Sequence, residues 1–269
     1  MSATRLDKYL VSQGYCSSRE QAHHLIDQRY VTINGFVALK HDRIVKSTDN
    51  VSVSKPLGYQ LKGALKLKKF FSFIPLDVAG LKWVDLGSSS GGFISVLIEK
   101  DVAEIVGVDV GKNLLVNDLQ GNSKVKILEN TNSRYLTVKD IGFLAQGVTV
   151  DLSFISLCLI SETLRRICAP NAIVIALVKP QFEAGRVDAS KARGIIKNPR
   201  VWKEVLVKVT THYSSKGFEI LNIVPVELSP LKNREFFLHM LYKPQHVTDF
   251  KQIEKRIEEV ITSPTSMST

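Results

Sequence analysis

Cysteine is scarce in this 269-residue chain: only Cys16, Cys158 and Cys168, with no C-x-x-C spacing among them. That is too few and too scattered for a disulfide framework or a zinc site, and it fits a reducing, cytoplasmic setting. Histidine is nearly as sparse. Of six, only His23 and His24 are neighbours, so no ligand spacing emerges and no metal is expected. Long apolar runs are missing too. The longest uninterrupted one, Ala172–Val178, falls far short of the roughly 18 residues a membrane-spanning helix needs, so no membrane partner is expected. Arg5, Asp7 and Lys8 break the start of the chain where a signal peptide would need an apolar core. Acidic residues are in deficit at the front. Residues 1–69 hold 12 Lys/Arg against 5 Asp/Glu, whereas residues 70–269 hold 24 against 21. With 44% hydrophobic residues the chain has enough for a core, and its basic front reads either as a module that meets a polyanion or as a solvated surface.

What is present falls into two patterns. "RLDKYLVSQG" places Leu6, Leu10 and Val11 on one helical face and ends at Gly14, and "SSREQAHHLID" starts a second helix with Ser17 and Glu20 in capping-box spacing. "VTINGFVAL" alternates around Asn34-Gly35, a strong hairpin signal. A small α+β domain is therefore expected over residues 1–55, with a Pro/Gly-punctuated linker over 56–62. From Lys82 onward short apolar strands ("WVDLG", "IVGVDV", "VKIL", "VTVDLSF", "AIVIALV") alternate with helical stretches. That pattern predicts a doubly wound α/β sheet over 63–245, with one of the two late strands, "FEILNIVPVEL" and "EFFLHMLY", antiparallel. Residues 246–269 read as a helix followed by a disordered Ser/Thr-rich tail.

"VDLGSSSGGF" leaves a strand through a Gly/Ser turn and enters a helix, the place where ligands sit in open α/β sheets. It is not the dinucleotide fingerprint, because Ser89 stands where a glycine would let the backbone approach a pyrophosphate. Asp85 ahead of the turn suits an amine-bearing ligand. Asp109, at the tip of the next strand in "VGVDVG", can accept ribose hydroxyls, although alone it reads equally as a helix cap. Together Asp85, Gly87, Ser88, Ser89, Gly91, Gly92, Phe93, Asp109 and Val110 suit S-adenosylmethionine, with Asn132 a candidate for the adenine edge. Two further strands end in Asp151 and Lys179, and both ends face one crevice if the sheet is parallel. Taken alone, Lys66 reads as decoration of an amphipathic helix, and Glu235 as the start of an edge strand.

These stretches resemble a known family. Leu6, Asp7, Leu10, Ser18, Arg19, Ala22, Leu25, Ile26, Asn34, Gly35 and Lys40 carry the likeness to the alpha-L (S-four-type) RNA-binding module. "DLGSSSGGF", "GVDVG", "ENTN", "DLSFIS", "LVKPQFE" and "NREFFL" occur in the order of the TlyA family. The resemblance spans about residues 4–242. It implies a Rossmann-like class I methyltransferase sheet behind the small RNA-binding domain, and S-adenosylmethionine-dependent 2′-O-methylation of cytidine in ribosomal RNA of the small and/or large ribosomal subunit. It also implies a Lys-Asp-Lys-Glu tetrad, matched here by Lys66, Asp151, Lys179 and Glu235. In that scheme Lys179 accepts the hydroxyl proton as a neutral amine, Lys66 is its like-charged neighbour, and the two carboxylates hold the pair. Arg5, Arg19, Lys40, Arg43 and Lys62 are the expected RNA contacts. Two departures stand out: Leu61-Lys62-Gly63-Ala64 in place of Ser-Arg-Gly-Gly, and Arg29 where the module usually has glycine. The alternatives are an RNA-binding assembly factor with an inactive methyltransferase fold and, ranked below it, the membrane-active role implied by the haemolysin label some relatives carry.

Overall fold

The computed structural model describes residues 4–16, 19–27, 29–53, 62–112, 115, 119–184, 195–228, 232–245 and 248–262. The expected cap at Ser17, the linker before Lys62 and the Ser/Thr tail beyond Thr262 lie outside the described residues.

The N-terminal module starts with β1 (Thr4–Arg5), α1 (Leu6–Ser12) and α2 (Arg19–Asp27), followed by β2 (Val31–Ile33), β3 (Phe36–Val37), β4 (Ile44–Val45) and β5 (Val51–Val53). β3, β2 and β5 form an antiparallel sheet, and β1 pairs with β4. The hairpin forms where the Asn-Gly pair predicts it. Asn34 and Gly35 both take positive φ (54° and 83°), as the tight turn between β2 and β3 requires. Leu6, Leu10, Ala22, Leu25, Ile26, Val31 and Ile33 close a small separate core. Arg29 sits at φ 60° just after α2, and its N–H bonds to the Ile26 carbonyl. A side chain in that left-handed conformation costs about 1–2 kcal/mol relative to glycine. Arg29→Gly should therefore stabilise the module by about 1 kcal/mol, read as a higher melting temperature of the full chain. An unchanged or lowered value would contradict this account of the residue.

The larger part is built on a seven-stranded sheet. Its elements are α3 (Lys62–Phe73), β6 (Lys82–Leu86), α4 (Gly92–Glu99), β7 (Glu104–Val108), β8 (Val125–Leu128), α5 (Val138–Ile141), β9 (Ala145–Val150), α6 (Ser161–Ile167), β10 (Cys168–Val178), α7 (Pro180–Glu183), α8 (Pro199–Ser215), β11 (Phe218–Val226), β12 (Glu235–Tyr242) and α9 (Phe250–Thr262). Strand order is β11-β12-β10-β9-β6-β7-β8. β12 runs antiparallel to both neighbours, and the other pairings are parallel. β12 thus lies inside the sheet, and Glu235 opens an interior strand rather than the edge strand its sequence also allowed.

Both faces of the sheet are covered, which is why its strands read as continuous apolar runs. Along β10, Val174, Ala176 and Val178 enter the core shared with α6, α8 and α9, while Ile175 and Leu177 enter the core shared with α3 and α4. The order of strands reverses at β6, which pairs with β7 on one side and β9 on the other. A crevice opens there at the carboxyl ends of the strands.

Candidate active site

The first wall of the crevice is the turn after β6. The Gly87 N–H bonds to the Val108 carbonyl, tying the turn to the neighbouring strand. Gly87 has φ 87°, and a Cβ there would lie 2.6 Å from the Asp151 carbonyl oxygen, so only glycine fits. Ser89, where a dinucleotide site would have glycine, adopts φ 45° all the same. Its strained backbone is held by a hydrogen bond from its N–H to Asp109 Oδ2 (2.9 Å), while the Gly111 N–H donates to Asp109 Oδ1 (2.8 Å). Asp109 therefore braces the turn, and each oxygen keeps a lone pair for a further donor. Val110 beside it is 70% exposed, an apolar face turned to solvent. Ser88 and Phe93 are buried: Ser88 bonds to the Asp85 carbonyl, and Phe93 packs against Phe237 and Gly63. They support the turn from below. Gly92 is needed for close packing, since its Cβ would come within 2.9 Å of the Ala64 backbone nitrogen at the start of α3. Asn132 caps the short turn Ser133–Tyr135 by accepting from the Arg134 N–H, with its side chain exposed.

Asp85 has an unusual environment. It is buried in β6 and accepts a 2.6 Å hydrogen bond from Thr149 Oγ1, which in turn accepts from Trp83 Nε1. Its second oxygen, Oδ2, is buried and has no hydrogen-bond partner among the described residues. Burial pushes the carboxyl up to about 7, and the charges of Asp151 and Asp109 add to the shift against the pull of Thr149. An unsatisfied buried carboxylate oxygen beneath a Gly/Ser turn fits a ligand that carries an ammonium group, and Asp109 fits one that carries ribose hydroxyls. The residues present therefore fit S-adenosylmethionine.

The second wall carries the two lysines. Lys179 ends β10 and precedes Pro180, the first residue of α7. Its extended backbone (φ −112°, ψ 102°) is the conformation a residue before proline favours. Proline thus stops the strand and starts the helix at one point, leaving the lysine side chain at the sheet's end. Lys179 Nζ lies 2.6 Å from Asp151 Oδ1 and donates to Ser153 Oγ at 2.9 Å. Lys66, one turn into α3, lies 2.6 Å from Glu235 Oε2. Strand register brings these groups together. Asp151 follows β9, its N–H bonded to the Leu86 carbonyl, and the β10–β12 pairing that matches Val178 with Phe236 carries Glu235 to the level of Lys179. The tetrad thus forms two ion pairs, Lys66–Glu235 and Lys179–Asp151. Lys179 Nζ is thus flanked by a carboxylate and a hydroxyl.

Three residues that spacing did not reveal complete this wall. Glu183, buried one turn after Lys179, accepts from Ser156 Oγ (2.7 Å) and the Leu157 N–H (2.6 Å), so it locks the segment after Asp151 to the segment after Lys179. Ser153 holds a hydroxyl against Lys179 Nζ. Phe154 is 90% exposed at φ 64°, its ring 4.9 Å from that of Phe182. A bulky aromatic residue rarely adopts that backbone conformation.

In the N-terminal module, Arg5 and Arg19 converge on one buried carboxylate. Asp7 Oδ2 lies 3.0 Å from Arg5 Nη2, 2.7 Å from Arg19 Nη2 and 3.2 Å from His23 Nε2. Hydrogen bonds from Arg5, Arg19 and His23 hold the Asp7 carboxyl well below the usual range. Both arginine side chains remain about half exposed while their guanidinium groups are held by Asp7. Arg5 and Lys40 line a shallow hollow with His23, Leu39, His41 and Asp42. Arg43 is exposed, and its carbonyl accepts the Leu6 N–H. Lys62 opens α3, but its side chain lies outside the described residues.

The FtsJ-like methyltransferase family matches residues 59–243, and the S4 domain family matches residues 4–51. The 16S/23S rRNA (cytidine-2′-O)-methyltransferase TlyA of Mycobacterium tuberculosis is 31% identical over 96% of this chain and 97% of its own length. YqxC of Bacillus subtilis, named provisionally as an rRNA methyltransferase, is 34% identical over 88% of this chain and 85% of its own. A solved structure that carries a hemolysin name, from Streptococcus thermophilus, is 30% identical with a TM-score of 0.74, covering 97% of this chain and 96% of that one. Among the described residues, no helix is long and apolar enough to cross a membrane.

Proposed function

The chain belongs to the FtsJ-like methyltransferase family, in the TlyA branch with an S4 domain ahead of the catalytic sheet, and we propose that it methylates the ribose 2′-oxygen of cytidine in ribosomal RNA within ribosomal subunits. Its enzyme class, methyltransferase, and its methyl donor, S-adenosylmethionine, follow from the family. The observation that carries the finer reading is the Lys179–Asp151 pair at the mouth of the crevice, with a hydroxyl already seated 2.9 Å from the lysine nitrogen.

When bound, S-adenosylmethionine supplies a sulfonium methyl, an electrophile that an oxygen can attack. Asp85 would hold the amine of that donor and Asp109 its ribose, with Gly87 and Ser89 shaping the turn between them and Val110 offering the exposed apolar face. A sugar hydroxyl is a weak nucleophile until its proton leaves. The Ser153 hydroxyl supports a sugar hydroxyl coming within hydrogen-bond reach of Lys179 Nζ, the group that takes the proton in this reading. Asp151 aims the lysine. Glu235 aims Lys66, whose ammonium lies on the α3 side of the crevice. Glu183 acts at one remove by fixing the segment that carries Asp151 and Ser153. Alignment of these groups supplies much of the rate, because the reaction needs one oxygen held in line with one methyl. Phe154 offers an uncovered ring beside Ser153 on which a base turned out of its stack would rest.

Arg5 and Arg19, braced by Asp7, with Lys40, Arg43 and Lys62, supply phosphate contacts that give affinity with little sequence reading. The experiment is transfer of labelled methyl groups from the donor to isolated small subunits, isolated large subunits and protein-free ribosomal RNA. Label on RNA of intact subunits, at a cytidine, is the expected result. Failure to label any subunit would count against the proposed substrate.

A further inference from the structure

Two buried side chains stand behind Asp85 without a part in the chemistry above. Trp83 is fully buried in the core shared with α3 and α4, and Thr149 is fully buried on β9. Strand register lines them up. β6 pairs with β9 so that Trp83 lies opposite Gly147 and Asp85 opposite Thr149. Alternate residues of a strand share a face, so these four occupy one patch. A Cβ on Gly147 would lie 2.1 Å from two ring carbons of Trp83, so the missing side chain leaves room for the indole to reach Thr149. Thr149 Oγ1 accepts from Trp83 Nε1 at 3.2 Å and donates to Asp85 Oδ1 at 2.6 Å.

The direction of this chain is set by its first member. An indole N–H only donates, so the Thr149 oxygen accepts there and its one proton is left for Asp85. The short second bond has the length of a hydroxyl bonded to an ionised carboxylate. It favours the charged carboxyl, against burial, which favours the neutral one. None of the nearby charges does this. Asp109 and Asp151 are anions and oppose ionisation, and Ser88 contributes a smaller pull, its hydroxyl being bonded to the Asp85 carbonyl. On the helices packed against this face, Lys66 of α3 is paired with Glu235, and Glu99, at the far end of α4 from the turn, is paired with Lys68. The Thr149 bond also occupies Oδ1, which leaves Oδ2 for a ligand.

Resting on the reading that Asp85 holds the ammonium of the methyl donor, we propose that Thr149, oriented by Trp83, is a positioning residue of the donor site: it keeps Asp85 charged and leaves Oδ2 for the ammonium. The consequence is a signature in pH. Thr149→Val replaces the hydroxyl with a methyl group of similar size and removes the proton that Asp85 receives. Titration of Asp85, near 7 in the unmutated chain, should then move up by about one pH unit. Only the ionised carboxyl attracts the donor, so affinity relative to the unmutated chain should fall about tenfold at about pH 6 and be about equal at about pH 9. The donor's own amine titrates alike against both proteins and cancels from that ratio. A mere packing defect would lower affinity by one factor at every pH.

The experiment is calorimetric titration of the full chain with S-adenosylmethionine across that pH range, for the unmutated, Thr149→Val, Thr149→Ser and Asp85→Asn proteins. NMR titration of labelled aspartate carboxyls, without donor, reads Asp85 directly. The expected result is a loss in Thr149→Val that grows as pH falls, an upward shift of the Asp85 titration, and an unmutated profile in Thr149→Ser, which keeps the hydroxyl. Unmutated affinity of Thr149→Val throughout, or a loss independent of pH, would overturn the proposal while a loss in Asp85→Asn left the donor-site reading standing. Unmutated affinity of Asp85→Asn would overturn that reading and the proposal with it. Should Thr149→Val fail to fold, Trp83→Phe, which frees the hydroxyl to turn, should show the same pH-dependent loss at smaller size. A profile there without that pH dependence would overturn the proposal.

Discussion

Replacing Lys179 with alanine should reduce methyl transfer by about a hundred- to ten-thousand-fold, the range a positioned proton acceptor contributes, while donor affinity stays unchanged. The separation of the two effects follows from the architecture. The proposed donor contacts are Asp85, the turn through Gly87 and Ser89, and Asp109, on β6 and just after β7, whereas Lys179 stands just after β10, two strands away from β6 in the sheet. The substitution also leaves Asp151 without its cation. That carboxylate retains some contact with water, its side chain being 19% exposed, so a cost of about 1–2 kcal/mol is expected, below that of breaking a fully buried pair. Lys179→Met keeps the bulk of the side chain and should show the same kinetic loss with less effect on folding. A variant that binds donor, folds and transfers methyl groups at the unmutated rate would remove Lys179 from the chemistry.

Asp85→Asn should weaken donor binding and yet stabilise the ligand-free protein. Folded Asp85 titrates near 7, against an ordinary value of 3.8, mainly because it is buried. Its folded value is raised, so between about pH 4 and 7 the unfolded chain has lost a proton that the folded chain keeps. Stability therefore falls as pH rises through that window, and the penalty is constant above it. The shift corresponds to about 4 kcal/mol as an upper figure. An amide carries no such penalty but buries an N–H of its own, so at pH 8 a net gain of about 1–3 kcal/mol is expected, and the melting temperature should vary less between pH 4 and 7. Donor binding moves the other way. Loss of the charge facing the donor's ammonium should lower affinity about ten- to a hundredfold. In the unmutated protein, donor affinity should fall as pH drops below 7, because protonated Asp85 no longer attracts a cation, and Asp85→Asn should abolish that dependence. Calorimetric titration and thermal melts over pH 4–8 read both effects. Unmutated donor affinity in the variant would exclude Asp85 from the donor site.

Much of the sheet was legible in the sequence for a physical reason. Strands buried on both faces are apolar at nearly every position, so the run Ile173 to Val178 reads as interior. The β2–β3 turn was legible because Asn34-Gly35 satisfies two successive positive φ angles. The position of β12 between β10 and β11 was not, since interior and edge strands of similar composition look alike in one dimension. The tetrad residues could be named by likeness, but their partners depend on register. Glu235 meets Lys66 through the pairing of β12 with β10 and the packing of α3 on the sheet. Ser153, Glu183 and the bracing role of Asp7 stayed hidden because each acts through side chains that reach across strands or between helices. Phe154 stayed hidden because phenylalanine is a residue that neither exposure nor a left-handed backbone favours.

The central claim is that the acceptor atom is a ribose oxygen whose proton passes to Lys179. The most direct test is nucleoside mass spectrometry of ribosomal RNA from subunits incubated with S-adenosylmethionine and either the unmutated chain or Lys179→Ala. The account predicts 2′-O-methylcytidine with the former and essentially none with the latter. A methyl group on a base, or 2′-O-methylcytidine formed equally by both proteins, would contradict it.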